Sequence, residues 1–276
     1  PNPGYPMFEM SGILAKANVE YYTIEEENGY LPDLDSIPEE VLKKTKYMIV
    51  SYPLNPVCVC APDEFYEKLI AFAKKNEIVI LHDNAYSDIT YGDKPGKSFL
   101  SFEGAKDVGA EFYSLSKSYN LTGARISFVV GNKEIISKFR LLRSQIDYGI
   151  FLSGTVCCNR GIDRTGDFIE EQRRQYASRN KTLCGGLRRI GWDVRDSQGT
   201  MFVGRRYRKG MHRLWILYEA YGANRRYRYP GKRFGSNGEG YVRMALVVNE
   251  SVIEEIVDVL DASGIFKKNS IKESDI

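Results

Sequence analysis

The sequence predicts an α/β domain on a largely parallel sheet, followed by a smaller α+β unit. Three observations carry this expectation. Short apolar runs recur at 46–52, 78–81, 111–115 and 126–130, helical patterns of period 3.6 lie among them, and beyond Gly166 a long charged helical run opens a second layer. The predicted division is 1–150 for the large domain and 151–276 for its end and the small C-terminal domain.

In chain order, KYMIVSY (46–52) is a short apolar run closed by Pro53, which suits a buried strand. Pro62 opens PDEFYEKLIAFAKKN, where Phe65, Leu69, Phe72 and Ala73 share one face. Acidic residues in its first turn and lysines in its last complement the helix dipole. Strands follow at Ile78–Leu81, Glu111–Leu115 and Ile126–Val130, the last ended by Gly131. Asn132 caps a helix toward Gln145, with Ile135, Ile136, Phe139 and Leu142 as its expected buried stripe. The run from 168 to 191 reads as an exposed helix interrupted at Gly185-Gly186, and WDV and TMFV read as strands. Tyr241–Val248 is a further strand and Ser251–Leu260 a helix, before a polar tail.

With 276 residues the chain can bury a proper core, and no apolar run reaches membrane-spanning length. A net charge of +3 is too small to argue for nucleic acid or a membrane surface as partner. Five cysteines without framework spacing read as reduced thiols of a cytoplasmic protein. Cys58-x-Cys60 has no second ligand pair at zinc spacing, so it reads as packing and no metal is expected. The opening PNPGYP looks like a loop inside a domain, so a preceding N-terminal section is expected.

The densest chemistry lies in Ser114-Leu115-Ser116-Lys117-Ser118-Tyr119-Asn120-Leu121-Thr122-Gly123-Ala124-Arg125, between two predicted strands. Hydroxyls and a guanidinium are donors for a phosphate dianion, and a lysine among them can condense with an aldehyde if its amine is partly neutral. Alone, Ser-x-Lys would be an ordinary polar loop. Upstream, His82-Asp83-Asn84-Ala85-Tyr86 sits at the carboxyl end of a strand, where ligands gather in open α/β sheets. His82 itself reads as a strand-end core residue.

Together these segments resemble class I/II (fold type I) aminotransferases, which depend on pyridoxal 5'-phosphate. The match to S-x-S-K-x-x-x-x-x-G-x-R implies Lys117 as the Schiff-base lysine and general base, with Ser114, Ser116 and Arg125 as phosphate ligands. The D-x-A-Y match implies Asp83 beside the pyridine nitrogen and Tyr86 on the phenolic oxygen. Tyr52-Pro53-Leu54-Asn55-Pro56 resembles the N-P-T-G turn, with Asn55 as second partner of that oxygen. Val57 and Cys58 replace its Thr and Gly, so an altered turn is expected. Pro3-Gly4-Tyr5-Pro6 resembles the segment whose ring, here Tyr5, stacks on the cofactor. Gly238–Leu246 resembles the segment whose arginine, here Arg243, holds the substrate α-carboxylate. The resemblance implies a three-layer large domain, transamination between an amino acid and a 2-oxo acid in ping-pong order, and a homodimer. HDNAYSDI and SLSKSYNLTGAR look closest to the branch with LL-diaminopimelate and aspartate aminotransferases. The alternatives are a carbon-sulfur lyase of the same fold and a non-catalytic remnant.

Two stretches break the pattern, SGTVCCNRGIDR (153–164) and 204–229, which mixes arginines with tyrosines. The second could be called a nucleic-acid patch. Codons can, however, be chosen so that both stretches read as family-like helix and strand in another frame. Single-nucleotide indels are therefore the expectation, to be checked by resequencing the source DNA.

Overall fold

A computed structural model describes residues 1–92, 95–147, 149–152, 154–156, 159, 166–206, 228–230, 234–264 and 266. Most of 153–164 and of 204–229, and the tail beyond 266, lie outside the described residues, so the frame-shift expectation is not addressed by it.

Four strands form the first sheet in sequence order: β1 (Tyr47–Val50), β2 (Val79–Asp83), β3 (Gly109–Ser114) and β4 (Ser127–Gly131). β1, β2 and β3 are parallel, and β4 runs antiparallel at the edge, so the sheet is mostly parallel. The β2–β3 register places His82 beside Glu111 and Asp83 beside Phe112. The crossover from β1 to β2 carries helix α2 (Asp63–Asn76), which follows α1 (Pro6–Leu14) in the chain. α2 buries Phe65, Tyr66, Leu69, Ile70 and Ala73, the apolar face its periodicity demands, and Phe72 is half-buried at its margin. Burying each large apolar side chain contributes roughly 1.5–3 kcal/mol. Glu77 in left-handed conformation ends the helix, its N–H reaching the Ala73 and Lys74 carbonyls. This face joins Met48, Val50, Ile80, Phe99 and Val108 in the first core.

The one-turn helix α3 (Leu115–Ser118) follows β3 directly, and α4 (Lys133–Ile146) follows β4. Asn132 caps α4 as expected, its Oδ1 accepting from the Glu134 and Ile135 N–H groups. The stripe predicted on α4 is not buried. Ile135, Ile136 and Phe139 are half-buried and Leu142 is 58% exposed. The helix lies over the edge of the sheet, where only one side of the stripe has strand beneath it, Phe139 meeting Phe112 edge-on at 6.3 Å.

A second core lies between α5 (Gly166–Arg189), α6 (Glu250–Ala262) and an antiparallel sheet of order β5-β7-β6. Its strands are β5 (Phe202–Arg206), β6 (Arg228–Pro230) and β7 (Tyr241–Ala245). Three expectations are corrected here. α5 runs unbroken through Gly185-Gly186, and because a Cβ at 186 would stand 2.7 Å from Val257 Cγ2, glycine there is what lets α6 approach. α5 is also not simply exposed, since Tyr176, Leu183, Cys184 and Leu187 are buried against α6 and the sheet. Trp192–Val194 is no strand. Its backbone is irregular, and Trp192 and Val194 are held in the second core by side-chain burial together with bonds from the Trp192 N–H to the Leu187 carbonyl, from Trp192 Nε1 to the Arg206 carbonyl and from Arg188 Nη1 to the Val194 carbonyl.

Candidate active site

Asp83 is the last residue of β2, and Ser114 the last of β3, so the carboxyl ends of neighbouring parallel strands deliver both to one edge of the sheet. Ser114 then caps α3, its Oγ accepting from the Ser116 N–H at 3.3 Å. This tight turn leaves Ser116 buried and Lys117 half-buried. Thr122 Oγ1 donates to the Ser116 carbonyl at 3.1 Å, which folds the following loop back. Arg125 adopts φ 55° there, exposed, its Nη1 donating to the Thr122 carbonyl at 3.0 Å.

Electrostatics tie these groups together. Burial lowers the Lys117 pKa below the usual lysine value, Asp83 raises it and Arg125 lowers it again, with a net lowering. Burial raises the Asp83 carboxyl, opposed by His82, by Lys117 and by the Ala85 N–H. A lysine whose pKa is lowered holds its neutral form over a wider pH range than an ordinary lysine, and that form is the nucleophile and proton carrier.

Asn55 lies buried in the turn after β1, and the expected alteration of that turn does not unmake it. Cys58 takes φ 63° where a glycine was expected, its N–H bonding the Leu54 carbonyl at 2.6 Å. The fully buried Cys58 thiol packs beneath the turn, within 3.2 Å of Thr200 Oγ1. Asn55 Oδ1 accepts from Arg243 Nη1 at 2.9 Å, which commits the amide oxygen and presents its NH2 as a donor. Arg243, on β7, is buried between Phe202 and Phe234, its guanidinium carbon 3.8 Å and 4.9 Å from the ring centroids. β5 can approach because Gly204, the register partner of Arg243, faces the Pro56 carbonyl, with which any Cβ there would collide.

Tyr86 is buried near this cluster. Burial drives its phenol pKa well up, Arg243 draws it down, and Asp83, Cys58 and Tyr5 add to the rise, so it remains an O–H donor. Tyr5 is 41% exposed at the start of α1, its ring edge-on to Phe8 at 5.8 Å. The structure thus groups Asp83, Lys117 and Arg125, and joins Asn55 to Arg243 with Tyr86 and Tyr5 alongside.

Sequence reasoning missed three kinds of residue around the site. Gln172 on α5 is buried and donates to the Lys117 carbonyl at 2.6 Å. Arg173 is buried and donates to the Thr90 and Gly92 carbonyls, pinning the loop that follows Tyr86. Phe202 and Phe234 form the arginine sandwich. No local pattern marks Gln172, Arg173 or Phe202, because each acts across more than 30 residues of chain, and Phe234 is set against Arg243 only by the loop that precedes β7.

The fold and the site together define a fold type I transferase of the α/β class. The sequence profile of the class I and II aminotransferases matches residues 1–260, and the chain belongs to that family, whose members depend on pyridoxal phosphate and catalyse transamination. It is 38% identical over 265 residues to an LL-diaminopimelate aminotransferase of Halothermothrix orenii, covering 96% of this chain and 68% of that protein. With a second protein of that name, from Syntrophobacter fumaroxidans, the identity is 36% over 262 residues, 94% of this chain and 66% of the relative. The chain therefore spans about two thirds of the length of these curated relatives. Among solved structures, apo BacF from Bacillus subtilis superposes with a TM-score of 0.89 at 33% identity, covering 95% of this chain and 67% of that one. A probable N-succinyldiaminopimelate aminotransferase from Thermus thermophilus gives 0.86 at 27%, covering 94% and 69%.

The residues present suit pyridoxal phosphate. An amine of lowered pKa is available for its aldehyde, a carboxylate for its ring nitrogen, an amide NH2 and a phenol for its phenolic oxygen, and hydroxyls with a guanidinium for its phosphate. No described helix is long and apolar enough to cross a membrane.

Proposed function

We propose that this chain moves an amino group between an amino acid and a 2-oxo acid at a pyridoxal-phosphate site held by Tyr5, Asn55, Asp83, Tyr86, Ser114, Ser116, Lys117 and Arg125. The observation that carries the reading is Lys117, which follows the carboxyl end of β3 beside that of β2 and whose amine feels both Asp83 and Arg125. Bound there, the cofactor supplies an aldehyde for the amine and a ring that takes up the electrons left when the substrate Cα loses its proton.

The chain's own residues do the rest. Lys117 holds the cofactor, and its freed amine carries the proton to and from Cα, a role suited to its lowered pKa. Asp83 keeps a positive charge on the ring nitrogen by supplying the counter-charge. Asn55 and Tyr86 donate toward the phenolic oxygen. Arg243, packed on two rings and bonded to Asn55, binds the substrate α-carboxylate as a bidentate pair.

The relatives' names point to a diamino dicarboxylic acid of the diaminopimelate class as amino donor. The family resemblance supports a homodimer in the cytoplasm, with residues 1–150 carrying the cofactor and 151–276 completing the large domain and forming the small one. The test is the visible spectrum of the purified chain with pyridoxal phosphate, before and after borohydride, with mass spectrometry of the labelled peptide. A reducible band with the label on Lys117, absent in Lys117→Ala, is expected. A label elsewhere, or an unchanged band in the variant, would overturn the assignment. Pyruvate and ammonia released without an acceptor would mark a lyase instead.

A further inference from the structure

Opposite His82, the residue before Asp83, lies a buried carboxylate that the proposed chemistry does not use. Glu111, on β3, is 0% exposed, and five donors converge on it. Oε1 accepts from His82 Nδ1 at 3.0 Å, from Asn84 Nδ2 at 2.5 Å and from the Phe99 N–H at 3.0 Å. Oε2 accepts from the Tyr113 hydroxyl at 2.8 Å and from Ser98 Oγ. A carboxylate can only accept, so His82 carries its proton on Nδ1, and its Nε2 faces the Tyr66 hydroxyl at 3.4 Å.

The arrangement has a specific consequence for the site. His82 and Asn84 are the two chain neighbours of Asp83, and both side chains end on the same oxygen of Glu111. Side chains alternate along a strand, so with its neighbours tied to β3 on one face, Asp83 is directed to the other. There it lies within electrostatic reach of Lys117, each shifting the other's pKa. The Asn84 N–H, bonded to the Phe112 carbonyl at 2.8 Å, closes the bracket from the main chain.

We propose that Glu111 is a positioning residue, acting through His82 and Asn84 to fix the rotation of the β2 terminus and hence where the Asp83 carboxylate meets the cofactor ring. An ordinary core needs no anion here. An apolar residue at 111 would be cheaper to bury, whereas a buried carboxylate with all its acceptor positions in use specifies one arrangement of the strand ends around it. Glu111 does not touch the cofactor in this proposal. It holds the residue that does.

The inference rests on Asp83 serving the ring nitrogen, and the experiment separates the two. Pyridoxal-phosphate affinity and the absorption maximum of the bound cofactor are measured by titrating the full apo chain. The proteins are the parent, Asp83→Asn, Glu111→Gln and the double variant. Glu111→Gln is expected to weaken affinity roughly tenfold and to move the maximum in the direction that Asp83→Asn moves it. In the Asp83→Asn background the same change should weaken affinity less than about twofold, because the group through which it acts is already gone. Multiplying losses, or an unaltered maximum in Glu111→Gln while Asp83→Asn shifts it, would overturn the inference alone. An Asp83→Asn variant indistinguishable from the parent would overturn the reading of Asp83 beneath it. Should Glu111→Gln fail to fold, Asn84→Ala removes one tether and leaves the carboxylate with four donors. It is expected to move the maximum the same way by less, and no movement overturns the proposal. Tyr113→Phe, which takes a donor from the other oxygen, is expected to lower stability without moving the maximum.

Discussion

Replacing Gly185 and Gly186 by alanine, one at a time, should change stability with opposite signs. The residues are adjacent in the unbroken helix α5, both are half-buried, and alanine improves intrinsic helix propensity by about 0.8–1 kcal/mol at either. At 185 an added Cβ meets nothing within 4 Å, so the gain should be realised in full. At 186 the Cβ would stand 2.7 Å from Val257 Cγ2 and 3.0 Å from Cγ1, against a normal carbon contact of about 3.5–4.0 Å. Val257 is fully buried on α6 and stiff at χ1, so it cannot swing clear and the two helices must separate. Overpacking of that kind costs about 1–3 kcal/mol, which outweighs the propensity gain. Urea denaturation of both variants against the parent measures the difference. If Gly186→Ala proved as stabilising as Gly185→Ala, the close α5–α6 approach would be refuted.

The same reasoning reaches the site. Gly204→Ala should drive β5 from the Pro56 carbonyl, break the Asn55–Arg243 bond across the register partner, and raise KM for the amino donor with a loss of stability of about 1–3 kcal/mol. An unchanged KM and urea midpoint would refute it. Burial and Arg125 both lower the Lys117 pKa, so Arg125→Gln should shift its capture of pyridoxal, the phosphate-free probe, to higher pH. Borohydride-fixed label at Lys117 read against pH checks this, and an unmoved or lower midpoint contradicts it. Burial raises the Glu111 carboxyl, but bonds from His82, Ser98 and Tyr113 outweigh it and hold the group below the ordinary value of 4.5. Its contribution to stability is therefore complete above that value and lost as pH falls through the folded one. Urea midpoints between about pH 6 and pH 3 should fall more steeply for the parent than for Glu111→Gln.

Much of this protein is local and was legible. The α2 stripe at Phe65, Leu69 and Ala73, the Asn132 cap and the apolar runs that became β1 to β4 depend on period and neighbouring residue type alone. The apolar runs were enough to place Asp83 at the end of one strand and Lys117 between two others, and the structure made β2 and β3 neighbours. The errors share a cause. Gly185-Gly186 was read as a break because glycine weakens an isolated helix, while its actual role at 186 is to admit Val257, some 70 residues away. Leu142 carried the right period, but a stripe is buried only where another element covers it, and the sheet edge lies beneath α4.

By itself, then, the sequence determined most element types and the mostly parallel α/β class, because these follow from short-range periodicity, and its motifs carried the resemblance that pointed to the family. Only the tertiary structure decided that Cys58 can take a glycine's conformation, that Gln172 reaches the Lys117 carbonyl, that two phenylalanines sandwich Arg243 and that Glu111 ties both neighbours of Asp83. Most of these are contacts between residues far apart in the chain, and the Cys58 turn is held in place by the elements packed around it. Their free energy exists only once distant elements have packed, so no local pattern encodes them.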